Sequence, residues 1–249
     1  MLEKVLITGG AGYLAGFIID QLRQNYALTL TDRVEPRDDF RSLRFFRADI
    51  TDYGAIEQAV VDQDVVVHLT ALVRGRFDRP LSDFVDVMVK GTWNVAEACA
   101  KKKVKLLINI SSVVANGWPL ATAEGPYRVG DPSQLGKTDL YYALAKHLGE
   151  EIGAAYHQAY GLRVINLRPG IIANDGHNSA PERPLDGRRW WFAHVDPRDV
   201  AHAVQKAIEA SHITQGTYQI VAGRDDALFD WHEAAETLGY MPQYNWPDL

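Results

Sequence analysis

The stretch Thr8-Gly9-Gly10-Ala11-Gly12-Tyr13-Leu14-Ala15-Gly16 decides the fold. It follows a short apolar run, Val5-Leu6-Ile7, and opens a helical pattern from Leu14 to Asn25. A strand, a glycine-rich turn and a helix in that order make a cradle for a pyrophosphate. Gly9 and Gly12 suit a turn where a side chain would block the phosphate's approach. A helix beginning near Gly12 aims free N–H groups and its positive dipole end at that anion. Ala15 or Gly16 would let the helix lie close to the sheet. Asp32 closes a second apolar run, Ala27 to Thr31. A carboxylate there accepts bonds from adenosine ribose hydroxyls. Together these residues predict dinucleotide binding. Asp32 would repel a 2′-phosphate, which favours NAD over NADP. Arg33 next to it could pair with that phosphate, stack on adenine, or be solvated in its loop.

Working outward, apolar runs alternate with helical patterns along most of the chain. Further strands are expected at 43–46, 64–69, 104–111 and 162–167, and helices at 53–61, 82–102 and 139–160. Continuous Val/Ile/Leu strands alternating with helices mean a parallel sheet covered on both faces. The expectation is therefore an α/β fold, a Rossmann-type doubly wound parallel sheet with right-handed crossovers. The pattern changes after Arg168. Residues 172–189 are rich in Asn, Gly, Pro and Arg and read as a long irregular binding loop. A helix at 197–210, a strand at 217–220 and a short helix at 231–238 follow. The chain, 1–249, reads as a single domain. Segments 171–193 and 212–249 are expected to contribute a small C-terminal substrate lobe, interleaved with the main sheet.

Composition narrows the function classes. The 249 residues are 47% hydrophobic and 23% charged, which excludes disorder and a disulfide-rich miniprotein. The formal net charge of −6 argues against non-specific nucleic-acid binding. Cys99, the single cysteine, cannot form an internal disulfide and excludes a cysteine zinc site. It reads as a small buried helix residue. His68, His194, His202 and His232 lack metal-ligand spacing, so no metal is expected. No apolar run is long enough for a membrane span. Met1-Leu2-Glu3-Lys4 leads straight into a strand, so the expected address is the cytoplasm.

Tyr142-Ala-Leu-Ala-Lys146 places a phenol and an ammonium on one helix face. A phenol with a pKa near 10 is a poor base at neutral pH. A nearby lysine cation favours the phenolate, which can take a proton from an alcohol as hydride leaves for a cofactor. Lys146 can also bond the nicotinamide ribose. Ser111 and Ser112 end the strand at 104–111, on the sheet edge where such folds bind ligands. One hydroxyl there can hold a substrate oxygen, and the other can bond the backbone.

With these motifs in place, the sequence resembles the extended short-chain dehydrogenase/reductase superfamily, in its NAD-dependent epimerase/dehydratase branch. The resemblance spans nearly the whole chain. It rests on the glycine turn, Asp32, Ala48-Asp49-Ile50, Val67-His68-Leu69-Thr70-Ala71, Lys90-Gly91-Thr92-Trp93-Asn94-Val95, Ser111-Ser112, Tyr142/Lys146, Arg168-Pro169-Gly170 and His194 to Val200. It implies NAD as cofactor and Ser112, rather than Ser111, as the catalytic hydroxyl beside Tyr142 and Lys146. It implies that Tyr13 and Leu14 join Gly9 and Gly12 at the cofactor, and that Asp49 and Ile50 flank the adenine. Leu69, Thr70 and Ala71 would run along the diphosphate and ribose, and Pro169 to Ile171 would border the nicotinamide. Ala15 replaces the usual last glycine, Thr70 stands where Ala is common, and Met88 stands where Asn is usual.

Little sequence follows the strand at 162–167, which points to a substrate smaller than a nucleotide sugar. Arg188-Arg-Trp-Trp-Phe-Ala-His and Phe229-Asp-Trp-His with Leu238-Gly-Tyr-Met-Pro-Gln resemble compact uronate dehydrogenases, which oxidise the hemiacetal C1 of a hexuronate to a lactone. Arg188 or Arg189 is the candidate anion holder, or else a solvated pair. Arg74 and Arg76 come second, and Arg79 reads as surface. Asn174 and Val113 complete the substrate candidates. Val113, Val114 and Ile171 stand where uronate enzymes place polar groups, so another anionic aldose, a sulfonated sugar or a less polar secondary alcohol also fits. Trp118, Trp190 and Trp191 could stack on a sugar or belong to the core. The alternatives are a redox-neutral epimerase or dehydratase that retains NAD, and a dinucleotide-sensing regulator. By resemblance the chain forms a homodimer through the helices at 82–102 and 139–160.

Overall fold

Val5 and Ile7 turn to one side of their strand and Leu6 to the other, and all three are fully buried. A strand apolar on both sides needs helices on both sides. The structure, a computed structural model, describes residues 3–72, 79–117, 126–132, 135, 140–172 and 193–245. Seven strands form one parallel sheet: β1 (Lys4–Thr8), β2 (Ala27–Asp32), β3 (Arg44–Arg47), β4 (Val65–His68), β5 (Leu106–Ile110), β6 (Arg163–Pro169) and β9 (Gln215–Ile220). Their order is β3-β2-β1-β4-β5-β6-β9, the doubly wound arrangement expected from the sequence.

Two apolar layers hold the sheet. On one side, α1 (Tyr13–Leu22), α6 (Pro197–Glu209) and α7 (His232–Leu238) pack Ile18, Val204 and Leu238 against Val5, Ile7, Ile108 and Ile165. On the other, α2 (Tyr53–Val60), α4 (Gly91–Lys102) and α5 (Leu140–Tyr160) pack Ile56, Val95 and Tyr156 against Leu6, Val66, Leu107 and Val164. Cys99 lies in this second layer, fully buried as expected. Local signals set the helix starts. Asp52 accepts the Ala55 N–H at the head of α2, and Asp196 accepts the Arg198 N–H at the head of α6, with Pro197 next to it.

Several details differ from the sequence reading. The first helix stops at Leu22, whose carbonyl accepts the N–H groups of Asn25 and Tyr26 as the chain turns into β2. The helix expected over 82–102 is α3 (Leu81–Phe84), a π-helical stretch (Val85–Lys90) and α4. Thr92 Oγ1 donates to the Met88 carbonyl at 2.6 Å where the wide turn ends. Met88 itself is buried with Leu72, Phe84 and Ala145. Gly16 faces Phe40 and Arg37 rather than the sheet, while Ala15 sits in the core. Of the 212–249 segment, β9 is the edge strand of the main sheet. A small parallel pair unseen in the sequence, β7 (Ile171–Ile172) with β8 (His194–Val195), flanks the end of β6.

Candidate active site

Strand order reverses between β1 and β4, and doubly wound sheets bind ligands beyond the carboxyl ends of their strands at that point. A cleft of about 190 Å³ lies there. Gly9 and Gly12 line it, with Asp32 and Arg33 from the end of β2 and Asp49 and Ile50 from beyond β3. Leu69, Thr70 and Ala71, which follow β4, line it as well. Tyr13 and Leu14 lie outside this lining. Tyr13 meets the Phe17 ring edge-on, and Leu14 packs toward the core.

The cleft's lining suits the adenosine and diphosphate part of a dinucleotide. Gly9 has φ +70°, and a Cβ there would lie 3.0 Å from the Thr70 nitrogen. The Gly12 start of α1 carries no side-chain cap, so its first N–H groups remain for an anion. Asp32 Oδ2 accepts the Ala11 N–H at 3.1 Å, and Oδ1 accepts the Arg33 N–H at 2.7 Å. The carboxylate thereby ties the glycine turn to β2 and keeps acceptor capacity for a ribose. Arg33 faces Asp49 at 3.7 Å. Burial pushes the Asp49 carboxyl up, but bonds from Thr51 and the Arg33 cation outweigh it, and its pKa falls below the usual value. Thr31 also lines the cleft, with a buried Oγ1 that has no hydrogen-bond partner among the described residues. Sequence reasoning missed Thr31, although a threonine directly before Asp32 at the carboxyl end of a buried strand is the signal that could have found it.

The second part of the site lies where β5 ends. Ser112 caps a short 3₁₀ turn, Val113–Asn116, its Oγ accepting the Val114 N–H at 3.4 Å. Tyr142 and Lys146 share one face of α5, with Lys146 Nζ 5.9 Å from the Tyr142 ring centre. Lys146 is buried and donates to the Ile110 carbonyl at 2.6 Å. Burial lowers its pKa to about 8, opposed by the Glu150 carboxylate. Ser111 is buried and donates to Glu150, so it bonds a side chain rather than the backbone. Pro169 ends β6, and Ile171 follows in β7. Between them, a Cβ on Gly170 would fall 1.8 Å from the Ala193 carbonyl, so only glycine lets β8 approach.

Val113 belongs to an apolar cluster with Ala193, Val221 and Phe229, against which Tyr127, Trp231 and the Tyr142 ring pack. The sequence reading missed Tyr127, which meets Phe229 through a bridge between distant segments. Arg74, Arg76, Trp118, Asn174, Arg188, Arg189, Trp190 and Trp191 lie outside the described residues. Arg79 pairs with Asp83 at 3.7 Å. Among the described residues, no group of three His, Cys, Asp or Glu could hold a metal ion, and no helix is long and apolar enough to cross a membrane.

Comparison with known proteins agrees with this geometry. A profile of the NAD dependent epimerase/dehydratase family matches residues 5–184. The L-arabinose 1-dehydrogenase (NAD(P)(+)) of Haloferax volcanii is 26% identical over 254 residues, covering 98% of each chain. An NAD-dependent glucose-6-phosphate dehydrogenase of the same organism is 28% identical over 261 residues, covering 98% of this chain and 95% of its own. Among solved structures, a glucuronic acid dehydrogenase from Chromohalobacter salexigens superposes with a TM-score of 0.84 at 21% identity, covering 100% of this chain and 87% of its own.

Proposed function

The chain belongs to the NAD dependent epimerase/dehydratase family, and from that premise we propose that it is an NAD-dependent dehydrogenase that oxidises the hemiacetal C1 of a small sugar or sugar acid to a lactone. Gly9, Gly12 and the head of α1 would hold the diphosphate, with Asp32 on the adenosine ribose. NAD, when bound, accepts the hydride. The rest of the chemistry belongs to side chains. The Ser112 hydroxyl donates to the substrate oxygen and orients it. The Tyr142 phenolate takes the O1 proton as the C1–H bond breaks and the C1=O bond forms. The Lys146 ammonium lowers the cost of that phenolate.

One observation carries the reading. Lys146 is fixed by its 2.6 Å bond to Ile110, two residues before Ser112, and stands one helical turn from Tyr142. A proton acceptor, its cation and a substrate-orienting hydroxyl thus belong to one strand end and one helix. The names of the two similar sequences favour a sugar without a nucleotide, since both match at nearly full length. Arg188, Arg189, Arg74 and Asn174 are the candidates for a substrate's anionic or hydroxyl groups, and Val113 for its apolar side. Segments 171–193 and 212–249 would contribute the small lobe over that substrate. A homodimer is proposed through two stripes of exposed apolar residues. Leu81, Val85 and Trp93 lie on the α3–α4 run, and Tyr141, Leu144 and Leu148 on α5. Monosaccharide oxidation in the cytoplasm completes the reading.

The test is absorbance of NADH formed from NAD or NADP with free aldoses, hexuronates, sulfonated sugars and simple secondary alcohols. Stoichiometric NADH from a sugar or sugar acid is expected. No net NADH from any of them, with dinucleotide retained through purification, would favour an epimerase or dehydratase.

A further inference from the structure

Behind Ser112, Tyr142 and Lys146 lies a buried ionic cluster that the mechanism above does not use. Glu150 follows Lys146 by one helical turn and Tyr142 by two, so the three share one side of α5. Its carboxylate takes both Arg168 Nε at 2.8 Å and Arg168 Nη2 at 2.7 Å, and it also accepts the Ser111 hydroxyl. Ser111, Glu150 and Arg168 are all at least nine-tenths buried. Among the described residues Arg168 Nη1 has no acceptor, and Glu150 is the carboxylate paired with that cation. A buried ion pair contributes little net stability compared with apolar residues of equal volume. Its presence directly behind the reacting groups therefore asks for another explanation.

The connections supply one. Ile110, Ser111 and Ser112 are consecutive. Ile110 is held to α5 by Lys146, and Ser111 is held to the same helix by Glu150. We infer that Glu150 is a positioning residue for the Ser112, Tyr142 and Lys146 chemistry: it anchors the end of β5 through Ser111 and presents the negative charge that faces Lys146 along α5. The inference rests on the proposed dehydrogenase reading and deepens it.

The charges around Lys146 can be named. Tyr142 and Glu150 lie on its own helix, His68 on β4 and Arg168 on β6, while Asp86 and Lys90 of the π-helical stretch are exposed. Burial holds His68 neutral, with its pKa lowered to about 3, and the Lys146 cation adds to that. Glu150 is thus the carboxylate that opposes the burial of the Lys146 ammonium. Without it, Lys146 loses its proton at lower pH, and Tyr142 needs a higher pH to ionise.

The test uses the full chain in three variants. Glu150→Gln should lower kcat about tenfold at neutral pH. It should change KM little and move the rising alkaline limb of sugar oxidation up by about one pH unit. The double variant Glu150→Gln/Arg168→Gln removes both buried charges and should keep the shifted limb. If the harm came only from an unpaired Arg168, the double variant would regain the parental profile, and the inference would be wrong. Ser111→Ala keeps the carboxylate and should lower kcat with the limb unmoved. A second readout needs no turnover: tyrosinate absorbance of the cofactor-free chain, minus that of the same chain carrying Tyr142→Phe, follows Tyr142 alone. Its midpoint should rise in Glu150→Gln and in the double variant. An unmoved midpoint overturns the inference even if no sugar is oxidised, whereas a moved midpoint with no turnover in the parent overturns only the proposed function.

Discussion

Thr8 Oγ1 and His68 Nδ1 lie 2.7 Å apart, joining the last residues of β1 and β4 where the strand order reverses. His68 Nε2 reaches Thr92 Oγ1 at 3.0 Å, so the imidazole spans from the cleft wall to the first turn of α4. It is a brace under the dinucleotide cleft rather than a titrating group.

His68→Ala should therefore cost stability before it costs chemistry. Two buried hydroxyls lose a partner, a penalty of about 2–4 kcal/mol and a melting temperature lower by roughly 5–15 °C. The pH dependence has a defined sign. Burial, reinforced by Lys146, holds the folded pKa at about 3, below the unfolded value of about 6.5. The unfolded chain binds the extra proton between these values, so the brace's contribution is complete above about pH 6.5 and shrinks as pH falls toward 3. Calorimetry of parent and variant at pH 5 and pH 8 should show the larger difference at pH 8.

Tyr142→Phe removes one oxygen from a ring that packs against the Val113 cluster. The packing and the cleft should survive, so NAD affinity, read by calorimetric titration, should match the parent. Turnover should fall by about 10²–10⁴-fold, the usual contribution of a positioned proton acceptor. Parental turnover would remove Tyr142 from the mechanism.

Asp32 needs a variant that separates its charge from its local bonds. Its two oxygens accept the Ala11 and Arg33 N–H groups. Asp32→Asn can keep an acceptor while losing the charge that repels a 2′-phosphate, and Asp32→Ala loses both. The kcat/KM ratio for NAD over NADP should narrow by about tenfold in Asp32→Asn, helped by the nearby Arg33 cation. A parent that already prefers NADP would contradict this assignment of Asp32.

The wound sheet was legible because each of its signals is local. Val5-Leu6-Ile7 is apolar on both sides, Gly9 has a positive φ in the turn, and the i, i+4 spacing puts Tyr142 and Lys146 on one side of α5. What escaped was held by contacts between distant segments. The Glu150–Arg168 pair joins α5 to β6, and nothing within either segment announces it. The bridge between Tyr127 and Phe229 likewise depends on how the chain returns. The π-helical stretch before Gly91 leaves the apolar period almost intact, so the sequence reads through it as one helix. The substrate candidates Arg74, Arg188 and Arg189 fall in 73–78 and 173–192, outside the described residues.

Asp199 ties the C-terminal tail to the main fold in a pH-dependent way. Its fully buried carboxylate accepts the backbone N–H groups of Gln243 at 2.9 Å and Tyr244 at 3.0 Å, while the Arg198 guanidinium stacks 3.6 Å over the Tyr244 ring. Burial raises the Asp199 pKa to about 6, with Asp196 adding to it and the two N–H bonds and Arg198 working against it. The folded carboxyl thus holds a proton that the unfolded chain releases near pH 4. Between about pH 4 and 6 the folded state binds more protons, so this group's contribution to stability falls as pH rises through that window. Asp199→Asn cannot ionise and escapes the loss. Its melting temperature relative to the parent should therefore rise between pH 4 and pH 7. A shift of this size corresponds to about 3 kcal/mol, or roughly 5–10 °C. The lost carboxylate oxygen lowers the variant's stability at every pH, so the slope of the difference, rather than its sign at one pH, is the measurement. A flat difference from pH 4 to 7 would mean that Asp199 is already ionised throughout, with the tail's two N–H bonds outweighing its burial.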